Sequence, residues 1–255
     1  MHVYYNAEKG KIGDKENKMN RRTFLKTLPA LSVLAGSAAA RSAVTNTASG
    51  FAQGLQPITL AKPQTEGGKS VLAALKERKT IRNISSEKLP AQVLSNLLWA
   101  AFGVNRQKGP FAGRTGRTAA SASNSQEIDL YVALPEGVYL YEAVGHRLIP
   151  VVAGDFRRRS GRRAAARAPV NIFYVVDIAK YKKAPFQEPG LRDAEVQKSY
   201  YYVATGLIAG NVYLFAASQG LAAHFHNCDK KNTAKEFKLR PEQRVLFAQT
   251  VGYPA

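Results

Sequence analysis

One cysteine, Cys228, stands among 255 residues, and a single thiol cannot build an internal disulfide framework. Acidic residues are scarce as well. Eighteen Asp/Glu face 37 Lys/Arg, a formal charge of +19, which attracts nucleic acid, anionic membrane or anionic ligands and says nothing about fold. The apolar run at 28–40 falls short of the roughly 20 residues that an ordinary membrane-spanning helix needs. No Gly-x-Gly-x-x-Gly follows a strand pattern, so a Rossmann nicotinamide site is not indicated. No internal repeat is visible. What remains is 45% hydrophobic residues, enough to bury one sizeable core in one domain, or at most two.

Met19-Asn20-Arg21-Arg22-Thr23-Phe24-Leu25-Lys26 has the form of a twin-arginine export signal, with a basic stretch ahead of the short apolar run. Ala38-Ala39-Ala40 supplies the small residues of a cleavage site; an uncut helical anchor is the alternative. Residues 1–18 are polar, precede a better-placed Met19, and read as a mis-called start. The twin-arginine route carries folded proteins, often with a cofactor already in place. A periplasmic, cofactor-bearing protein with no stable membrane span after signal removal is therefore expected. Residues 41–255 keep 30 Lys/Arg against 15 Asp/Glu, a net of +15, so the basic character belongs to the domain. From Arg41 to Gly68 the composition is Ser, Thr, Gly, Pro and Gln, a linker or extended arm. The domain is placed at 69–255.

Val71, Leu72 and Leu75 make one apolar face of a short helix that runs into Arg78-Lys79-Thr80-Ile81-Arg82. Guanidinium forks grip phosphate bidentately, and a hydroxyl beside them can donate to another phosphate or polyol oxygen. Cations at a helix C-terminus also favour its dipole, so a solvated helix end is the other reading. Leu89-Pro90 opens a second helix carrying Val93, Leu94, Leu97, Leu98, Ala101 and Phe102 at helical spacing, with Gly103 at its C-cap. Trp99, the one tryptophan, is read as core or interface packing. The run Ala119 to Gln126 is small and polar, suited to close backbone approach to a flat ligand or to a plain loop.

Ile128–Leu134 alternates as a strand and Gly137 turns it into a second, Val138–Tyr141, with a further extended piece within 146–152. Six arginines fall between Arg157 and Arg167. Without interleaved aromatics or a nucleic-acid fold signature they read as a solvated, helical face, and no nucleic-acid partner is expected. Val170–Val176 has the continuous apolar character of a buried central strand. A long helix spans about 193–219 and ends at Gly220. Ala204, Gly206, Ala209 and Gly210 strip bulk from one of its sides, which implies close approach of another helix or a ligand, and Asn211 needs a partner. His224, His226 and Cys228 alternate on one face. Lacking an evident fourth ligand they read as packing or site-lining residues, and no metal is expected. A short helix over 233–237 and a last strand, Arg244–Val251, lead to Gly252-Tyr253-Pro254.

The Arg78–Arg82 cluster, the segment Leu97-Leu98-Trp99-Ala100-Ala101-Phe102-Gly103-Val104-Asn105-Arg106, the loop Ser121-Ala122-Ser123-Asn124-Ser125-Gln126, the small-residue helix and Gly252-Tyr253-Pro254 stand in the order used by the nitroreductase flavoproteins. Over about 70–255 the chain resembles that family, near its SagB-type (thiazole/oxazole-forming) dehydrogenase branch. The resemblance implies an α+β fold with a central, mostly antiparallel sheet flanked by helices. It also implies an obligate homodimer with two FMN sites between subunits and the glycine-bearing helix at the seam. Arg78, Thr80 and Arg82 would hold the FMN phosphate and ribityl chain, and Lys79 would add positive field. Ser121, Asn124 and Gln126 would reach the flavin from the partner subunit. The backbone around Phe225 and His226 would line its ring. Ala120 replaces a family proline, Gly210 a common glutamine, and the basic pair that many members carry beyond the closing Gly-x-Pro is missing. The Arg78–Arg82 cluster is thus expected to be the main phosphate anchor.

The implied activity is ping-pong transfer of hydride or two electrons to or from a small organic substrate, a nitroaromatic, quinone or similar. NAD(P)H or another donor would supply the electrons, and no acid–base residue is nominated, because the cofactor carries the chemistry. A SagB-like dehydrogenase oxidising its substrate and a non-catalytic exported flavin- or anion-binding protein are the alternatives.

Overall fold

The protein is described from a computed structural model covering residues 54–111, 114–161 and 163–255; the segment expected to be an export signal and the first part of the expected arm lie outside the described residues. In chain order the elements are β1 (Ile58–Thr59), α1 (Val71–Glu77), α2 (Ala91–Phe102), β2 (Val104–Arg106), β3 (Gly116–Arg117), β4 (Ile128–Leu134), β5 (Gly137–Glu142), β6 (Arg147–Ala153), α3 (Arg163–Arg167), β7 (Val170–Asp177), α4 (Ala194–Ser218), β8 (Ala222–His226), α5 (Lys230–Glu236) and β9 (Gln243–Gly252). Seven strands form one sheet in the order β1-β6-β5-β4-β7-β9-β8. Every pairing in it is antiparallel. The expected α+β architecture is thus present. β2 and β3 form a separate ribbon.

Local chemistry accounts for most element ends. Asp193 caps α4 by accepting from the N–H groups of Glu195 and Val196 at 2.8 and 3.1 Å. At the other end Gly220 takes φ +69° and Leu221 N–H returns to the Ala216 carbonyl at 2.8 Å, a left-handed stop that glycine adopts without steric cost. Leu134 faces Gly137 across the β4–β5 turn. All eight residues of β7 are buried, as a strand with neighbours on both edges and layers on both faces requires.

Two apolar layers hold the sheet. On one face α2 and α4 bury Leu97, Leu98, Ile208 and Val212 against Leu130, Val132, Ile172 and Tyr174. On the other, Phe237, just beyond α5, packs against Tyr131 and Phe173 with ring centres 5.8 and 5.2 Å apart. Gln249, fully buried on β9, accepts from the Tyr174 hydroxyl and donates to the Ala209 carbonyl of α4 at 3.3 Å. That bridge satisfies a polar group which would otherwise cost about 1–3 kcal/mol.

Four sequence-based expectations change. The arm is docked rather than free from residue 58 on: β1 adds an edge strand to β6, and α2 side chains hold the backbone beyond it, Gln92 at the Lys62 carbonyl and Asn96 at Gln64 N–H. The apolar face of α1 is not packed within the chain, since Leu72 is 78% exposed and Ala74 is the buried residue. The small residues of α4 lie on two faces instead of one. Ala204 and Ala209 face the core, while Gly206 and Gly210 look into open space beside exposed Val203 and Leu207; at about 100° per residue, position 206 turns about 200° from 204. The arginines of 157–167 are not simply a solvated face. Arg157 is paired with Asp155, and Arg159 with Asp229 and Glu236.

Candidate cofactor site

Arg78 ends α1 by leaving helical geometry, and residues 79–83 then belong to no helix or strand. Ile81 N–H donates to the Ala223 carbonyl at 3.1 Å, Ile84 bridges to Pro254, and Ser85 N–H donates to the Tyr253 carbonyl at 2.9 Å. The Arg78–Arg82 segment is therefore laid along the free edge of β8. An edge strand left bare would present unpaired backbone groups; here chain and side chain cover it.

Tyr213, from α4, organises the place. Its hydroxyl accepts from Phe225 N–H at 2.8 Å and lies 3.1 Å from the Thr80 hydroxyl, while its ring sits 5.5 Å from the Arg78 guanidinium carbon. One side chain thus fixes Arg78, Thr80 and β8 together. The sequence reading missed it, and the available signal was a hydroxyl-bearing ring two positions after Asn211 in a helix otherwise rich in small residues. Asn211 itself donates to the Thr118 and Ala101 carbonyls, at 3.2 and 3.4 Å.

Several cations elsewhere in the domain are already paired. Arg157, Arg159, Arg240 and Lys180 each hold a carboxylate. Among the described residues Arg78, Lys79 and Arg82 hold none, and all three are exposed. Three uncompensated cations and a half-buried hydroxyl along five residues fit a phosphate-bearing cofactor.

The other expected site residues are placed differently. Phe225 lies on the α4 side of β8, part-exposed, its ring 5.7 Å from Tyr174 and 4.8 Å from Phe247. The His226 ring is on the opposite face, against the Thr250 hydroxyl at 2.9 Å, so on the Tyr213 side only its backbone is available. His224 lies beside it with ring centres 4.6 Å apart. Burial pushes the Cys228 thiol up to about 12, leaving it protonated at neutral pH. No group of three His, Cys, Asp or Glu among the described residues is arranged to hold a metal.

The loop of Ser121, Asn124 and Gln126 is tightly knit. Ser123, Asn124 and Gln126 all take positive φ, between 51° and 53°, a conformation uncommon outside glycine. Hydrogen bonds hold it there. Ser121 Oγ accepts from Gln126 N–H at 3.0 Å, Gln126 Nε2 donates to Asn124 Oδ1 and the Thr115 carbonyl, and Arg117 Nε donates to Gln126 Oε1 at 2.9 Å. Among the described residues no hydrogen bond joins this loop to Arg78–Arg82. Within one chain the two halves of the expected site are not brought together.

Comparison with known proteins bears directly on this arrangement. Residues 75–253 match the Nitroreductase family. The chain belongs to that family. Members of the nitroreductase family are generally FMN-dependent oxidoreductases, and membership supports an oxidoreductase here. A candidate nitroreductase of Methanocaldococcus jannaschii is 27% identical over 186 residues, covering 69% of this chain and 87% of that protein. The crystal structure of a candidate nitroreductase from Ralstonia eutropha is 32% identical with a TM-score of 0.68, covering 78% of this chain and 90% of its own. A chain of the Escherichia coli microcin synthetase complex has the same nitroreductase fold at 17% identity and a TM-score of 0.57, over 77% of each chain.

Proposed function

We propose that the protein is an FMN-dependent oxidoreductase, active as a homodimer, that moves hydride or electron pairs between a donor and a small organic acceptor such as a nitroaromatic or quinone. The observation that carries this reading is the uncompensated Arg78-Lys79-Thr80-Ile81-Arg82 segment, pinned by Tyr213 to the edge of β8. When bound, FMN supplies the two-electron chemistry. Arg78 and Arg82 grip its phosphate and Thr80 donates to the phosphate or ribityl oxygens. Lys79 contributes field that favours an anionic form of the ring. The β8 backbone around Phe225 forms one wall. Ser121, Asn124 and Gln126 come from a second copy, which explains why one chain keeps the two halves apart. The exposed faces of α1 and of α4 at Val203, Gly206, Leu207 and Gly210 are the surfaces that second copy covers.

We infer a ping-pong order, donor and acceptor meeting the same open face in turn, with NAD(P)H or another electron donor as the reductant. The twin-arginine-like motif at 19–26 supports a periplasmic location for this work. Purified protein tests the reading: a yellow colour that bleaches under NADH or dithionite and returns on adding menadione or nitrofurazone supports it. A colourless chain that cannot be reconstituted with FMN rejects it.

A further inference from the structure

A cavity of about 350 Å³ lies beneath the C-terminal end of α2, over β4, β5 and the end of β7. The Arg78–Arg82 segment is on β8, three strands from β4 in the sheet order, or about 14 Å at the usual strand spacing. Within its own chain the cavity is a separate place. Its apolar lining comes from Phe102, Ile128, Leu130 and Ala143. Charged residues share that lining, and their charges do not cancel. Asp129 and Asp177 line it, but each is already held by a cation, Lys180 and Arg240 respectively, both at 2.5 Å.

Three further cations, Arg114, Arg117 and Lys183, have no carboxylate among the described residues. Arg114 is positioned by neutral carbonyls alone, those of Ser125 at 2.6 Å, Lys183 at 2.8 Å and Asn124 at 3.3 Å. Arg117 donates Nε to Gln126 and Nη1 to the Phe102 carbonyl at 3.1 Å, stacks 5.2 Å from the Phe102 ring centre, and has Nη2 left over. Burial lowers its pKa, yet a guanidinium does not deprotonate near neutrality. Asp129 and Glu142 act on it through space without an ion pair; a largely desolvated cation with no carboxylate in contact is costly, and an anion in the cavity would relieve that cost.

The charged lining is preorganised. Arg114 ties the ribbon loop to the segment at 183, and Phe111 stacks on Phe186 across the same two segments, ring centres 5.5 Å apart. Fixed donors beside an apolar lining match a ligand with a charged head and a greasy body, and the volume is at the lower end of small-molecule sites.

We propose that this cavity binds a compact organic carboxylate, its head on Arg114, Arg117 and Lys183 and its apolar body on Phe102 and Leu130. Ser125 and Gln126 border the cavity, so an occupant also braces the loop that carries them.

Calorimetric titration of the full chain with benzoate tests this, with benzyl alcohol as the uncharged ring of the same size and sodium phosphate as the anion without a body. Saturable benzoate binding is expected, at least about tenfold tighter than either control, the scale of one charge-assisted hydrogen bond. Arg117→Gln should weaken benzoate at least about tenfold. Lys183→Gln, which changes an exposed side chain with no ion pair, should weaken it measurably without touching the fold. Arg78→Ala should leave benzoate binding intact. Absent benzoate binding, affinity unchanged in both cavity variants, or loss in Arg78→Ala would overturn the proposal. Failure of FMN to bind the wild type leaves these outcomes unaltered, so the two readings fail separately.

Discussion

Tyr213 does three things that no other residue near the candidate site does: it accepts from β8, meets Thr80 and underlies Arg78. Tyr213→Phe keeps the ring, hence the cation–π contact, and removes the acceptor from Phe225 N–H. Loss of about 1 kcal/mol of stability is expected in urea denaturation, with a weakened FMN affinity smaller than that of Arg78→Ala. An unchanged midpoint and affinity would show that the hydroxyl organises nothing. The sequence displayed Arg78, Thr80 and Arg82 plainly, because charge and spacing are local properties. It did not display Tyr213, whose partners lie 133 and 12 residues away. Likewise Arg159 and Arg78 look alike as letters, and only folding brings the remote carboxylates Asp229 and Glu236 to the first and none to the second.

At the scale of elements, His146 clamps the arm to the sheet. The Ser95 hydroxyl gives its hydrogen to the Ala61 carbonyl at 2.5 Å, so it accepts from His146 Nε2 at 2.7 Å, and Nδ1 accepts from the Tyr141 hydroxyl at 2.9 Å. Those partners fix a neutral ring, and burial lowers its pKa from the usual value. A base depressed in the folded state takes up its proton more readily in the unfolded chain, so stability is full above about pH 6.5 and falls as pH drops through that value. Urea midpoints from pH 7.5 to 5 should decline, and His146→Asn, which tolerates the φ of +47°, should start lower and lack this component; equal slopes would contradict the clamp. β4, β7 and α4 were legible because alternation, a continuous apolar run and the Asp193 and Gly220 caps act within a few residues. β1 was not, since two residues carry no period and the pairing partner is remote. The two-faced character of α4 needed the sheet, which decides which side of a small-residue helix is the core.

For the whole molecule, the proposed second copy would cover the exposed apolar faces and join the loop to the basic segment. Leu207→Asp, at a 46% exposed position, should leave the folded chain intact and shift its elution from dimer to monomer. A monomeric wild type, or an unshifted variant, would contradict the proposed seam. In the monomeric variant FMN should be held weakly, because Ser121, Asn124 and Gln126 would no longer face the basic segment of a partner. The central claim is that Arg78–Arg82 anchors a flavin phosphate, and FMN titration of the full chain beside Arg78→Ala, followed by flavin absorbance and fluorescence quenching, tests it most directly. The account predicts saturable binding by the wild type and affinity at least about tenfold weaker in the variant, with circular dichroism and elution volume unchanged. Equal affinity in the two proteins would contradict it.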